Sequence, residues 1–179
     1  MGDCRKRLRR HLSFGSPAWG GEISLETLGL RVLVVDDNVP WRHLSCSTLR
    51  KRAGLHIISE AVDGQDAVQK AKQLQPDLIL LDIGLPDLNG IEVNRLIPEI
   101  SPNSKIIFLT ENRDVDFVIV AINDGAKGYV LKSDGVSELL RAIETVLQGG
   151  KFVSRHFNHG KCDWGRMLLQ RPTAAPMAR

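Results

Sequence analysis

Residues 78–90 read Leu78-Ile79-Leu80-Leu81-Asp82-Ile83-Gly84-Leu85-Pro86-Asp87-Leu88-Asn89-Gly90. Four consecutive apolar residues run into one acid, and a stretch bearing proline and glycine follows. A short apolar run without alternation marks a strand covered on both faces, as in a parallel sheet flanked by helices. Pro86 and Gly90 fit a tight turn after that strand. Asp82 then stands at the strand's carboxyl end, the rim where open α/β sheets bind their ligands.

Three similar runs lie outward from this one, at residues 32–35, 106–109 and 129–131, and a weaker one at 56–59 fits a more exposed strand. Helical patterns separate them. Residues 39–53 place Trp41, Leu44, Thr48 and Leu49 near one face. Residues 64–74 repeat Ala67, Val68, Ala71 and Leu74. Residues 90–97 carry Ile91, Val93, Leu96 and Ile97, and Pro98 is expected to stop that helix. Residues 114–123 carry Val115, Val118, Ile119 and Ile122. Residues 135–148 carry Val136, Leu139, Leu140, Ile143 and Leu147 before Gly149-Gly150. Five β-α units in succession predict an α/β fold, a doubly wound parallel sheet with helices on both faces.

The polar residues at the strand ends form a pattern. Asp36 and Asp37 follow the first run directly, Thr110 the fourth and Lys132 the fifth. If the first and third strands are neighbours, three carboxylates converge, and crowded anions repel unless a cation joins them. A hard divalent cation, Mg²⁺, suits oxygen ligands. A hydroxyl and an ammonium beside the metal suit a bound anion. A carboxylate nucleophile, a metal and fixed donors together describe phosphoryl transfer. A single strand-end aspartate would read more simply as a helix cap; five matched residues at four strand ends do not.

Composition sets the boundaries. The chain has 179 residues, 42% hydrophobic and 25% charged, which fits one globular domain with flanking segments. No apolar run reaches the roughly 18 residues that span a bilayer. Residues 32–149 carry twelve Lys/Arg against seventeen acids, whereas both ends are basic. The net charge of +3 is therefore no nucleic-acid signature. Cys4, Cys46 and Cys162 are odd in number and far apart, as expected of free thiols in a cytoplasmic protein. The basic cluster from Arg5 to Arg10 leads into no apolar stretch, so a secretory signal is not expected. Residues 1–29 read as a flexible basic extension.

On these motifs the chain resembles the receiver domain of bacterial two-component response regulators, in particular the NarL/FixJ-like subfamily. The resemblance covers residues 30–150. It rests on Val32 to Asn38, Leu80 to Gly90, Phe108-Leu109-Thr110 and Gly128 to Lys132. It implies a flavodoxin-like five-stranded sheet in the order 2-1-3-4-5. It implies that Asp82 is the phosphoacceptor, that Asp36, Asp37, Asp82 and the Gly84 backbone carbonyl hold Mg²⁺, and that Thr110 and Lys132 bind the phosphoryl group. Tyr129 resembles the aromatic switch residue that moves inward as Thr110 shifts. The implied partner is a sensor histidine kinase or phosphotransfer protein, with homodimerisation on phosphorylation as an option. Such a domain catalyses its own phosphorylation and is not a turnover enzyme. His43 reads as a surface residue rather than a relay histidine.

Three features depart from the family pattern. Glu111 follows Thr110 where a small residue is usual, and its charge narrows access and repels an anionic donor. Ser133 replaces a common proline. Residues 151–179 resemble the start of a linker but are too short for a helix-turn-helix output domain, which argues against DNA binding by this chain. Two alternatives stand beside a phosphorylated switch: a truncated transcriptional regulator without its helix-turn-helix, and a degenerate receiver that binds without being phosphorylated. An aspartyl phosphohydrolase fits less well, because its D-x-D signature is absent.

Overall fold

A computed structural model describes residues 29–159. Cys4, Cys162, nearly all of the expected N-terminal extension and most of the expected tail lie outside them. The strands are β1 (Leu30–Val35), β2 (Leu55–Ala61), β3 (Leu78–Leu81), β4 (Lys105–Thr110), β5 (Gly128–Leu131) and β6 (Phe152–Val153). The helices are α1 (Val39–Leu49), α2 (Gly64–Leu74), α3 (Gly90–Ile100), α4 (Val115–Asn123) and α5 (Gly135–Leu147). All strand pairings are parallel, in the order β2-β1-β3-β4-β5-β6. The chain moves outward from β1 to β2 and then returns to the other side of β1. The β1–β3 crevice is therefore the topological switch point.

The two-residue period of the strands sorts the core into two layers. Leu33, Val35, Ile79, Leu81, Phe108 and Tyr129 face α2, α3 and α4, meeting Ala67, Ala71, Val93, Ile97 and Val118. Val32, Val34, Leu78, Leu80, Ile107 and Val130 face α1 and α5, meeting Cys46, Leu49, Leu139 and Ile143. Burial on both faces explains why the strand sequences do not alternate between apolar and polar.

The structure corrects three readings of the sequence. The buried face of α1 is Arg42, Ser45, Cys46 and Leu49, while Leu44 points to solvent. Arg42 is tolerated inside because its guanidinium donates to the Asp36 carbonyl at 2.6 Å and pairs with Glu60 at 3.4 Å. Pro98 lies within α3 rather than ending it, and the Ser101 N–H closes the helix on the Ile97 carbonyl at 2.7 Å. The folded body also does not stop at residue 150. β6 pairs with β5, Ser154 Oγ accepts the Leu131 N–H at 3.0 Å, and Phe157 is buried. Gly149, at φ +88°, makes the left-handed turn that leads from α5 towards this sixth strand.

Candidate functional site

β1 and β3 run side by side, with Val35 paired to Leu81, so Asp36 and Asp82 leave the sheet next to each other. The backbone holds both. The Asp36 N–H donates to the Ala61 carbonyl at 3.1 Å, and the Asp82 N–H to the Val35 carbonyl at 2.9 Å. Carboxylate oxygens of Asp36, Asp37 and Asp82 lie within 4.8 Å of one another. Asp36 and Asp82 are buried and Asp37 is exposed.

Lys132 enters from the end of β5. Its ammonium donates to Asp82 Oδ2 at 2.7 Å and pairs with Asp36 Oδ2 at 2.8 Å. It is 3% exposed. Burial presses this ammonium down, but the hydrogen bonds to Asp36 and Asp82 outweigh it and the net shift is upward. Burial lifts the Asp36 carboxyl above its usual 3.8, and Lys132 only partly offsets that. The Trp41 ring lies 5.9 Å from the ammonium, on its side towards α1.

Asp82 is further fixed through Oδ1, which accepts the Ile83 N–H at 2.7 Å and the Gly84 N–H at 3.4 Å. Asp37, Asp82, Gly84, Thr110 and Lys132 line one cleft of about 290 Å³, together with Asn38, Glu111 and Asn112. Thr110 is buried, and its hydroxyl oxygen accepts the Asn112 N–H at 3.2 Å. Its own proton is left for a second partner. Glu111 is exposed at the mouth, and His43 is a surface residue. Cys46 is no nucleophile: burial, with Glu60 nearby, pushes its thiol up to about 11.

Tyr129 does not line the cleft. It is fully buried between Phe108 and Phe157, with ring centroids 6.0 and 5.5 Å away. Burial raises its phenol, aided by Asp114 and Asp82. Its hydroxyl donates to the Asn112 carbonyl at 3.0 Å. Asn112 thus touches Thr110 through its N–H and Tyr129 through its carbonyl. Sequence reading missed Asn112, because a backbone bridge leaves no residue signature. It missed Arg42 because one arginine on a helix reads as a solvated charge.

Three carboxylates against one ammonium leave the cleft electronegative, and all its candidate ligands are oxygens. That set fits a hard divalent cation rather than a thiophilic one. Among the described residues no helix is long and apolar enough to cross a membrane.

Comparison with known proteins shows the family. The response regulator receiver domain family matches residues 32–144. The transcriptional regulatory protein LnrK of Bacillus subtilis is 36% identical over 121 residues, which are 68% of this chain and 55% of LnrK. The chemotaxis protein CheY of Thermotoga maritima is 38% identical over 119 residues, 66% of this chain and 98% of CheY. Among solved structures, a LuxR-family two-component response regulator from Aurantimonas sp. SI85-9A1 is similar. It has a TM-score of 0.69 and 31% identity, covering 73% of this chain and 93% of that one. The chain therefore spans about half of LnrK and nearly all of CheY.

Proposed function

Because the chain belongs to the response regulator receiver domain family, a signalling family, we propose that Asp82 accepts a phosphoryl group in this cleft. The observation that carries the reading is Lys132, buried between Asp36 and Asp82 at 2.8 and 2.7 Å.

Asp36 and Asp37, with Asp82 and the Gly84 carbonyl, are the groups that would hold Mg²⁺. When bound, the metal supplies positive charge beside the transferring phosphoryl group. An Asp82 carboxylate oxygen attacks the phosphorus of a phosphohistidine. The P–O bond forms as the P–N bond breaks, and the leaving imidazole nitrogen takes up a proton from solvent. The N–H groups of Ile83 and Gly84 hold Oδ1 and so limit rotation of the carboxylate. Lys132 moves from carboxylate to phosphoryl oxygen, and the Thr110 proton supplies a second donor. The Asn112 backbone then transmits any shift of Thr110 to Tyr129.

The product is an acyl phosphate on the chain itself, which is switching rather than turnover. The proposed donor is a cytoplasmic histidine kinase or phosphotransfer protein. Phosphoramidate with Mg²⁺ should add one phosphoryl group, seen as a mass increase, and Asp82→Ala should abolish it. Labelling that persists in the variant would overturn the assignment.

A further inference from the structure

The turn after Asp82 is fastened to α2, a helix that contributes no residue to the lining of the cleft. The Asp87 carboxylate accepts the backbone N–H groups of Gly64 at 2.7 Å and Gln65 at 3.1 Å, the first two residues of α2. Contact here is close. A Cβ on Gly64 would lie 2.1 Å from the Leu88 carbonyl oxygen. At its other end the turn closes on the acceptor strand. The Gly90 N–H donates to the Ile83 carbonyl at 3.0 Å, and a Cβ on Gly90 would lie 2.2 Å from the Asp82 carbonyl oxygen.

Between these fastenings sits Gly84. It has no side chain, and a Cβ there would meet nothing within 4 Å. No side chain of its own anchors its peptide, whose N–H faces Asp82 Oδ1 and which lines the cleft. Its position comes from its neighbours along the turn, where the Leu85 N–H closes around it on the Ile83 carbonyl at 3.0 Å. One is Leu85, which is buried. The other is the Asp87 joint, an ionised acceptor on two N–H groups at the positive end of an 11-residue helix.

We propose that Asp87 is a positioning residue for the phosphoacceptor site. By tying the turn to the start of α2, it fixes the Gly84 peptide and the orientation of Asp82 relative to Asp36 and Asp37. The inference rests on the proposed function. Asp63 supplies a natural control. Its side chain accepts the Asp66 N–H at 2.7 Å and caps the same helix end, but none of its hydrogen bonds reaches the acceptor turn.

The test is a Mg²⁺ titration of the full chain, followed by tryptophan fluorescence because Trp41 lies beside Lys132. Thermal unfolding is measured on the same samples. Asp87→Ala should raise the half-saturating Mg²⁺ concentration about tenfold, the effect typical of losing a partner that orients a metal ligand. Asp87→Asn keeps one acceptor oxygen and should fall between. Gly64→Ala pushes the joint from the other side and should also weaken Mg²⁺ binding. Asp63→Ala should lower the unfolding temperature yet leave the half-saturation unchanged. Phosphorylation of Asp87→Ala should recover at saturating Mg²⁺. The inference is overturned if Asp87→Ala and Asp87→Asn titrate like wild type, or if Asp63→Ala shifts the titration equally. Wild type that neither titrates nor labels would sink the proposed function instead. Should Asp87→Ala fail to fold, Asp87→Asn still decides the matter.

Discussion

Two turns bring carboxylates into the cleft, and they are built on opposite plans. The β1–α1 turn, with Asp36 and Asp37, is held by charge. Arg42 reaches the Asp36 carbonyl and Glu60, and Glu60 also meets Arg50 at 3.2 Å. The β3–α3 turn, with Asp82, takes no cation on its backbone among the described residues; Lys132 reaches only the Asp82 side chain. It is held by glycine contacts, by Asp87 on the N–H groups of α2, and by the Asn89–Glu92 capping box that starts α3. The first plan can loosen by degrees as partners are lost. The second leaves no room for a methyl group at Gly64 or Gly90.

Gly90→Ala should therefore have the largest effect. Its methyl meets backbone, which cannot rotate away as a side chain could. A loss of about 3 kcal/mol in urea unfolding is expected; a loss below ~1 kcal/mol would mean that the β3 turn yields as easily as the β1 turn. Arg42→Met comes next, at about 2 kcal/mol, the scale of losing hydrogen bonds from a charged group. Arg42→Lys should recover part of it. A Lys variant no better than Met would show that charge is not what holds the β1 turn.

Acid should act mainly through that same turn. Burial raises the Asp36 carboxyl, so protons compete for it from a higher pH than at an ordinary aspartate. Lowering the pH then weakens Mg²⁺ binding, by up to about tenfold per unit once Asp36 is being protonated. Fluorescence titrations between neutral and mildly acidic pH would show it, and a flat profile would remove Asp36 from the metal site. The smallest effect belongs to Glu60→Gln. Glu60 is partly exposed and its pair with Arg50 is solvated, so about 0.5 kcal/mol is expected, shrinking further in high salt. A larger, salt-independent loss would place the hold of the β1 turn in the buried Arg42 contact alone.

The same contrast decides what could be read from the sequence. Asp36, Asp37, Asp82, Thr110 and Lys132 were legible because each ends a strand, and parallel strands deliver their ends to one rim. The groups that hold them were not. Arg42 acts on the Asp36 carbonyl one turn back and Asp87 on N–H groups in another helix, and neither residue's type nor its spacing signals such a contact. The face of α1 was misread for a related reason: Arg42 is inside, against its polarity, because the Asp36 carbonyl and Glu60 receive it, and Ser45 is buried on the same face. β6 escaped notice because two residues carry no period. Its place depends on Phe157 covering Tyr129, a contact that forms only in the folded body.

The direction of β6 fixes where the described body begins and ends. β1 starts at Leu30 on the amino rim of the sheet. β6 runs parallel to β5, so it ends at Val153 heading for the carboxyl rim, the side of Asp82 and Lys132. The two ends are thus not equivalent as attachment points. A dye attached at Arg155, exposed just beyond β6, would start on the rim that carries Asp82 and Lys132. One attached at Gly29, exposed just ahead of β1, would start on the opposite rim.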